Sequence, residues 1–211
     1  MDQKTLLAGS LARALAVFCV DEVIIFDDDD INTNPDNNSD YPSPITKPDR
    51  LLSGTQPPSK GFTAFSDPSH FLAHVLSYLE TPPYLRKHIF PMHPNLRAAG
   101  LLPSLDMPHH LRTNEPCEFR EAVVVGSPSS GSGTIVDTGL PQKSILGDVN
   151  LPEHARVTVQ FLDSSAEHAR VVHPSTPRTE SGYYWGYYVR RARSLADVFT
   201  ECPFDGGYDL S

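Results

Sequence analysis

The sequence predicts a mixed α/β protein that carries a small inserted antiparallel β-barrel. Three observations support this fold class. An Ala/Leu-rich helix leads into a β-branched run near the N-terminus, five short strand candidates crowd residues 115–175, and an aromatic strand follows them. A helix followed by a buried strand is typical of an α/β layer. Several short strands separated by turn residues are typical of a barrel.

The first helix is predicted over residues 5–19. Its apolar side chains recur at helical spacing, so they are expected to form one buried face. That face comprises Leu7, Leu11, Ala14, Leu15 and Phe18. Cys19 lies in the same apolar run, and we expect it to be an unreactive core residue. Residues 23–26 are β-branched or aromatic and are bounded by charge, which predicts a strand covered on both faces.

Charge and polarity single out the next segment. The formal net charge of the 211 residues is −9, which argues against a strongly basic nucleic-acid binder. Residues 27–40 contain six aspartates and no Lys or Arg, so the remainder can still present local basic patches. Few apolar residues occur between residues 27 and 69, and we therefore predict a disordered insertion there. An acidic docking site is the alternative.

A second helix is predicted from Asp67, a plausible N-cap, and Pro68, which suits the first helical position. Its buried face is expected to comprise Leu72, Val75, Leu76 and Leu79. Pro82 and Pro83 end this helix, and residues 84–90 predict a further helical turn.

The barrel strands are predicted from short apolar runs between Gly, Pro and Ser turns. The candidates are residues 119–125, 133–138, 142–145, 156–161 and 169–173. In the run 156–161 the apolar residues alternate strictly, which predicts one buried face and one face in water. Five such strands predict a small OB-like barrel.

Residues 183–190 hold four tyrosines and the only tryptophan around Gly186. As a strand, this run places Tyr183, Trp185 and Tyr187 on one face. So much ring surface implies burial, a platform on which nucleobases stack, or both. A glycine in mid-strand marks a bulge or a close approach by another group. Ser194 is then expected to cap a short helix with Leu195, Val198 and Phe199 facing inward.

Several classes of site find no support in the sequence. The three cysteines are widely spaced and odd in number, which indicates free thiols in a reducing compartment. A zinc site built from His93, His109 and His110 lacks the usual ligand spacing, and we expect no metal. No Gly-x-Ser-x-Gly elbow or phosphate-binding loop occurs. No secretory pattern or membrane-spanning run is present, so we expect an intracellular protein.

Several separate motifs stand in the same order as in a known family. They occupy residues 7–14, 18–23, 78–87, 99–112, 119–121, 182–187 and 203–210. In this respect the chain resembles the eukaryotic and archaeal branch of SPOUT (α/β-knot) RNA methyltransferases that carries an OB-like barrel within the catalytic domain. The family's first strand and its C-terminal knot would lie outside residues 1–211, so we expect a chain truncated at both ends.

The resemblance implies an S-adenosylmethionine-dependent enzyme that methylates uridine in rRNA or another structured RNA, in the nucleus or nucleolus. It divides the chain into an N-terminal part of the α/β domain (1–112), a barrel (113–178) and a return to the α/β domain (179–211). The resemblance also implies homodimers, which members of this class usually form. Without the knot, this chain is expected to bind the methyl donor weakly or not at all and to dimerise poorly, and the sequence leaves open whether it is active. The alternative is a non-catalytic RNA- or protein-binding remnant built on the barrel.

The site residues follow from the resemblance and from the charge pattern. The catalytic candidates are Arg190 and Asp209. Most of the donor pocket would lie beyond Ser211, with Tyr208 and Asp209 near its edge. The candidates for RNA contact, through phosphate groups or base stacking, are Arg86, Lys87, His110, Arg112, Trp185, Arg190 and Arg191.

Overall fold

The structure, a computed structural model, describes residues 3–26, 61–127, 133–147, 149–204 and 206–209. The helices are α1 (Gln3–Val17), α2 (Pro68–Glu80), α3 (Arg86–Ile89), α4 (Thr176–Ser181) and α5 (Leu195–Thr200), with two short 3-10 turns at Pro94–Leu96 and Ala99–Leu101. The strands are β1 (Glu22–Phe26), β2 (Phe119–Gly126), β3 (Thr134–Asp137), β4 (Ser144–Leu146), β5 (Arg156–Phe161), β6 (His168–Val172) and β7 (Tyr188–Ala192). The acidic run 27–40 lies outside the described residues.

The α/β part is built on a parallel pair of strands. Strand β1 pairs with β7 from Glu22–Tyr188 to Phe26–Ala192, which confirms an α/β layer. Helix α2 packs on this pair and supplies Val75, Leu76 and Leu79 to the core. The prediction that β1 is covered on both faces is wrong, because only Ile25 is fully buried and Phe26 is exposed.

The predicted buried face of α1 is the wrong one. Leu7 is 73% exposed and Phe18 is 79% exposed, whereas Thr5, Ala8 and Ala12 are buried. Helix α1 contacts α2, and its small residues allow a close approach that larger side chains would prevent. Cys19 is likewise exposed rather than a core residue, since it follows α1 in a turn with a φ of 52°.

Helix α2 begins where the sequence predicted, but the chain before it is ordered. Asp67 caps α2 because its Oδ1 accepts a hydrogen bond from the His70 amide at 2.8 Å. Thr63 is buried, and its amide donates to Asn95 Oδ1 at 2.9 Å. The predicted disorder over 27–69 is therefore wrong for residues 61–69, since buried polar groups find partners there.

The five predicted barrel strands are confirmed, and they close. Their order around the barrel is β2-β3-β4-β6-β5, and β5 pairs with β2. All pairs are antiparallel except one: β4 and β6 run parallel, with Ile145 opposite His168. The expectation of a purely antiparallel barrel is corrected by this pair. The parallel pair arises because β5 lies between β4 and β6 in sequence, so the chain passes through β5 before β6 returns to pair with β4. Parallel neighbours need such a crossover connection.

Strand β5 has no face in water, contrary to its alternating pattern. Arg156, Thr158 and Gln160 are all buried, as are the apolar residues between them. Their side of the strand is covered by polar partners: Arg156 and Thr158 bond carboxylates on β2 and α2, and Gln160 bonds Glu118 and Arg170. Polar residues at alternate positions therefore marked a buried polar layer.

The aromatic stretch is only partly a strand. Strand β7 begins at Tyr188, and residues 182–187 have no regular secondary structure. Gly186 has a φ of 86°, a left-handed conformation that interrupts the pleat. Further along, Ser194 caps α5 as predicted, but Leu195 and Phe199 are about half exposed rather than inward. Helix α4 was not predicted.

Candidate functional site

An ionic cluster, here called the junction, joins the barrel to the α/β part. Arg156, the first residue of β5, contacts Glu80, the last residue of α2, through Nη1–Oε2 at 2.7 Å and Nη2–Oε1 at 3.1 Å. Its Nε donates to Glu121 Oε2 at 2.5 Å. All three side chains are at most 5% exposed. This planar, two-sided pairing suits a guanidinium, and a lysine could not reproduce it.

Further donors complete the junction. Thr158 Oγ1 and the Trp185 indole N–H both donate to Glu121 Oε1, at 2.5 and 2.7 Å. His109 Nε2 lies 3.0 Å from Glu80 Oε1. Burial opposes ionisation of Glu80, but Arg156 and His109 more than offset it and hold the pKa of Glu80 well below its usual range. Glu80 is thus ionised near neutral pH, and its contacts with Arg156 and His109 join two parts of the fold.

Trp185 belongs to this junction. It is 3% exposed, and its ring packs edge-on against Phe119. Of the two interpretations of the aromatic stretch, the structure places this ring in the core, where neither face can receive a base. Tyr187 is also buried, and its hydroxyl donates to the Leu76 carbonyl at 3.1 Å. Tyr183 is the ring of this stretch that remains exposed, at 47%.

A second cluster surrounds Arg190, one of the two catalytic candidates. Its Nε donates to Glu22 Oε1 at 3.1 Å, and its Nη2 donates to the Val198 carbonyl at 3.0 Å and to the Tyr208 hydroxyl at 3.1 Å. Tyr208 in turn donates to Glu22 Oε2 at 2.6 Å. Burial and this carboxylate raise the pKa of Tyr208 to about 12. The arginine therefore ties the segment around Tyr208 to β1 and β7.

Two residues close in sequence to Arg190 and Tyr208, namely Arg191 and Asp209, do not share their contacts. Arg191 Nη2 contacts both carboxylate oxygens of Asp67, at 3.0 and 3.1 Å, which joins β7 to the start of α2. The second catalytic candidate, Asp209, follows Tyr208 and is exposed. The structure thus brings Arg190, Tyr208 and Asp209 to one end of the α/β part, with the aspartate facing solvent.

Two predicted RNA contacts are already used within the protein. Arg86 donates to the carbonyls of Thr81 and Leu79, at 2.9 and 3.1 Å, and its guanidinium lies over the Tyr78 ring. It therefore satisfies carbonyls at the end of α2. His110 Nε2 lies 2.6 Å from the Glu80 carbonyl. Burial and the neighbouring His109 lower the pKa of His110 to about 3, so it carries no positive charge at neutral pH.

The remaining candidates, Lys87 and Arg112, are exposed. The loop that carries Arg112 is held by a residue that sequence reasoning missed. Arg120 is buried on β2, and its Nη2 donates to the carbonyls of Leu111 and Arg112 at 3.0 and 2.9 Å, while its Nε donates to the Thr138 carbonyl at 2.8 Å. The available signal was the adjacent charged pair Arg120 and Glu121 near the start of a strand that is apolar from Ala122 to Val125.

Sequence reasoning also missed a histidine cluster formed by His70 and His74 of α2 with His93. The ring of His74 lies 5.5 Å from that of His70 and 4.8 Å from that of His93. Burial and the neighbouring His93 and His70 lower the pKa of His74 to about 4. Within the described residues, no group of three or more His, Cys, Asp or Glu side chains is arranged to hold a metal ion. The i, i+4 spacing of His70 and His74 was the available signal.

Comparisons with known proteins cover the whole chain. Residues 1–211 match the model of a family described as "Putative RNA methyltransferase". The chain is 42% identical to a 28S rRNA (uridine-N(3))-methyltransferase of Homo sapiens, over 99% of this chain and 52% of that protein. It is 39% identical to the Mus musculus protein of that name, over 99% and 50%, and 37% identical to the Drosophila melanogaster one, over 97% and 40%.

The chain thus spans about half the length of these relatives. In the part of the chain that the structure describes, no helix combines the length and the apolar character needed to cross a membrane.

Proposed function

We infer the function from one premise: the chain belongs to the RNA methyltransferase family whose model matches residues 1–211. We propose that it forms part of an S-adenosylmethionine-dependent enzyme that methylates N3 of uridine in ribosomal RNA. The single observation that carries this proposal is the similarity to 28S rRNA (uridine-N(3))-methyltransferases along nearly the whole chain. An rRNA substrate would place the protein in the nucleus or nucleolus.

The fold supports a division of labour. The closed five-stranded barrel occurs in sequence between β1 and β7, two strands that pair directly. We propose that it is an OB-type module, residues 113–178, and that residues 1–112 and 179–211 belong to one SPOUT domain. Barrels of this type bind single-stranded or structured nucleic acid on their surface. We also propose that the enzyme acts as a homodimer, as this class implies.

The exposed candidates lie where RNA could reach them. Lys87 lies on α3, whose Ile89 packs against the barrel. Arg112 lies in a loop that Arg120 holds by a hydrogen bond to the Arg112 carbonyl. Such cations would hold RNA by its phosphate groups, which positions the substrate without reading its sequence. We therefore assign RNA positioning to the barrel side of the molecule, and not to the buried ring of Trp185.

The chemistry calls for a donor and a proton acceptor. When bound, S-adenosylmethionine supplies the methyl group, while uridine N3 must lose its proton. The exposed carboxylate of Asp209 fits either of two tasks, accepting that proton or accepting hydrogen bonds from the donor's ribose hydroxyls. Arg190 acts indirectly, because its contacts with Glu22 and Tyr208 hold the segment that carries Asp209.

A direct test uses nucleoside mass spectrometry. The chain is incubated with S-adenosylmethionine and a uridine-containing rRNA stem-loop, and 3-methyluridine is measured. Methylation is expected, and Asp209→Asn should reduce its rate about 100-fold or more if the carboxylate is the proton acceptor. Asp163→Asn, a control at an exposed carboxylate on the barrel, should leave the rate unchanged. Equal rates for both variants would refute the role of Asp209, and no product from the unaltered chain would refute the activity.

A further inference from the structure

We propose that a site for RNA phosphate groups lies where α3 meets the barrel. The site, here called the barrel seam, is formed by Lys87 and His88 of α3 together with Lys143, just before β4, and His154, just before β5. This inference rests on the proposed function and specifies the surface that the RNA backbone contacts. It adds Lys143, His88 and His154 to the exposed Lys87.

The seam stands on a packed base. The buried side chains of Leu85 and Ile89 pack against Val123 of β2. Next to them, the Tyr84 hydroxyl donates to the Glu121 carbonyl at 3.0 Å. Gly139 lies so close to the Tyr84 ring that a Cβ there would come within 2.5 Å of it. Helix α3 is therefore fixed against the barrel, and the basic groups are held together by these contacts.

Strand register brings the basic residues of the barrel to the same place. Val136 pairs with Ser144, so the next antiparallel step sets Asp137 opposite Lys143. His88 Nε2 lies 3.5 Å from Asp137 Oδ2, which links α3 to this pair of strands. The His154 amide donates to the Val124 carbonyl at 2.9 Å, on the neighbouring strand β2. Three separate segments thus present basic side chains along one edge.

The basic groups of the seam lie close enough for their positive charges to repel one another. Burial lowers the pKa of His88, and the positive charges of Lys87, Lys143 and His154 also lower it while Asp137 opposes them. The positive charge that the seam offers at neutral pH therefore comes from its lysines rather than from His88. Both lysine side chains are exposed, and in the described ranges neither ammonium group is paired with a carboxylate. Unpaired ammonium groups at neighbouring positions suit phosphate oxygens on a continuous backbone.

The test measures binding and its salt dependence with the full chain. A fluorescein-labelled RNA stem-loop with uridines in its loop is titrated by anisotropy at several KCl concentrations. Lys87→Ala with Lys143→Ala should weaken binding about tenfold or more, and should lower the slope of log K against log[KCl] by about 1.4–1.8, since each lost phosphate contact removes about 0.7–0.9. The charge-preserving pair Lys87→Arg with Lys143→Arg should keep affinity within about threefold and keep the slope.

The control is Arg13→Ala, which removes an exposed positive charge on α1 and should leave both quantities unchanged. The thermal unfolding midpoint of each variant checks that these exposed substitutions leave the fold intact. If the double alanine variant kept the wild-type affinity and the wild-type salt dependence, the proposal that RNA phosphate groups bind at the seam would be refuted. A second result would also overturn it. If the double alanine variant no longer bound a glutamate-rich peptide but still bound RNA, the surface would be a docking site for protein.

Methylation assays separate this inference from the proposed function. At limiting RNA the double alanine variant should show a raised KM with an unchanged kcat, because the lysines position RNA and do not contact the reacting atoms. If the unaltered chain binds RNA through the seam but forms no 3-methyluridine, the seam stands and the proposed activity of this chain fails. If methylation proceeds with an unchanged KM in the variant, the activity stands and the seam fails.

Discussion

Replacing Gly186 by alanine tests how tightly the junction is packed. A Cβ at this position would lie 2.4 Å from Glu80 Oε1 and 2.7 Å from His109 Cε1. Neither neighbour can move freely, because Arg156 holds both oxygens of Glu80 and the imidazole of His109 is fully buried. The substitution must therefore displace the carboxylate that joins the barrel to the α/β part.

The expected loss has two sources. A φ of 86° disfavours any side chain, which costs about 1–2 kcal/mol. Forcing a methyl group into a filled site costs about 1–3 kcal/mol more. Gly186→Ala should therefore lower the free energy of unfolding by about 2–5 kcal/mol, a large part of the stability of a typical domain.

Gly182 provides a matched control. It has a φ of 71°, yet nothing lies within 4 Å of a Cβ built there. Gly182→Ala should carry only the backbone cost, about 1–2 kcal/mol. Urea unfolding followed by tryptophan fluorescence gives both values from the midpoints and the common slope. Equal losses in the two variants would refute the close packing of Gly186, since they would leave no steric contribution.

Two further predictions concern buried charge. Glu80→Ala leaves the buried positive charge of Arg156 without this partner and should lower the free energy of unfolding in urea by about 3–5 kcal/mol. The control Glu153→Ala removes an exposed carboxylate and should change that free energy by less than about 0.5 kcal/mol. Similar losses in the two variants would contradict the role of Glu80 in the junction. His74 and His110 have pKa values lowered to about 4 and about 3, below the 6.5 of the unfolded chain, so the unfolded state takes up protons first. The free energy of unfolding should be highest above pH 6.5 and should fall as the pH is lowered from 6.5 to 3. The double variant His74→Gln, His110→Gln should show a shallower fall. An identical fall in this variant would show that the two histidines do not cause the pH dependence.

Local signals predicted most elements of this fold. The cap at Asp67, the prolines after α2 and the turn residues between barrel strands act within a few residues, so they can be recognised without knowing the partners. The choice of buried face on α1 could not be recognised in this way. Two faces were available, one rich in leucine and one rich in small residues, and the structure uses the small residues Ala8 and Ala12 against α2.

The site depended on contacts between residues far apart in sequence. The junction unites Glu80, Glu121, Arg156 and Trp185, which stand on different elements, and no short motif connects them. The alternation along β5 was read correctly as a period of two, but it could not reveal that carboxylates would cover the polar side. Among the predicted RNA contacts, only burial and partners separated the exposed Lys87 from the internally bonded Arg86.

The parallel pairing of β1 with β7 also affects how the chain folds. Glu22 meets Tyr188, 166 residues later in sequence, so this pair forms only after a very long loop has closed. Loop closure costs conformational entropy that grows with length, and such distant contacts slow folding. The barrel strands, by contrast, follow one another closely. We therefore expect the barrel to assemble early and to shorten the effective distance between β1 and β7, so that substitutions in its interior slow the completion of the parallel sheet.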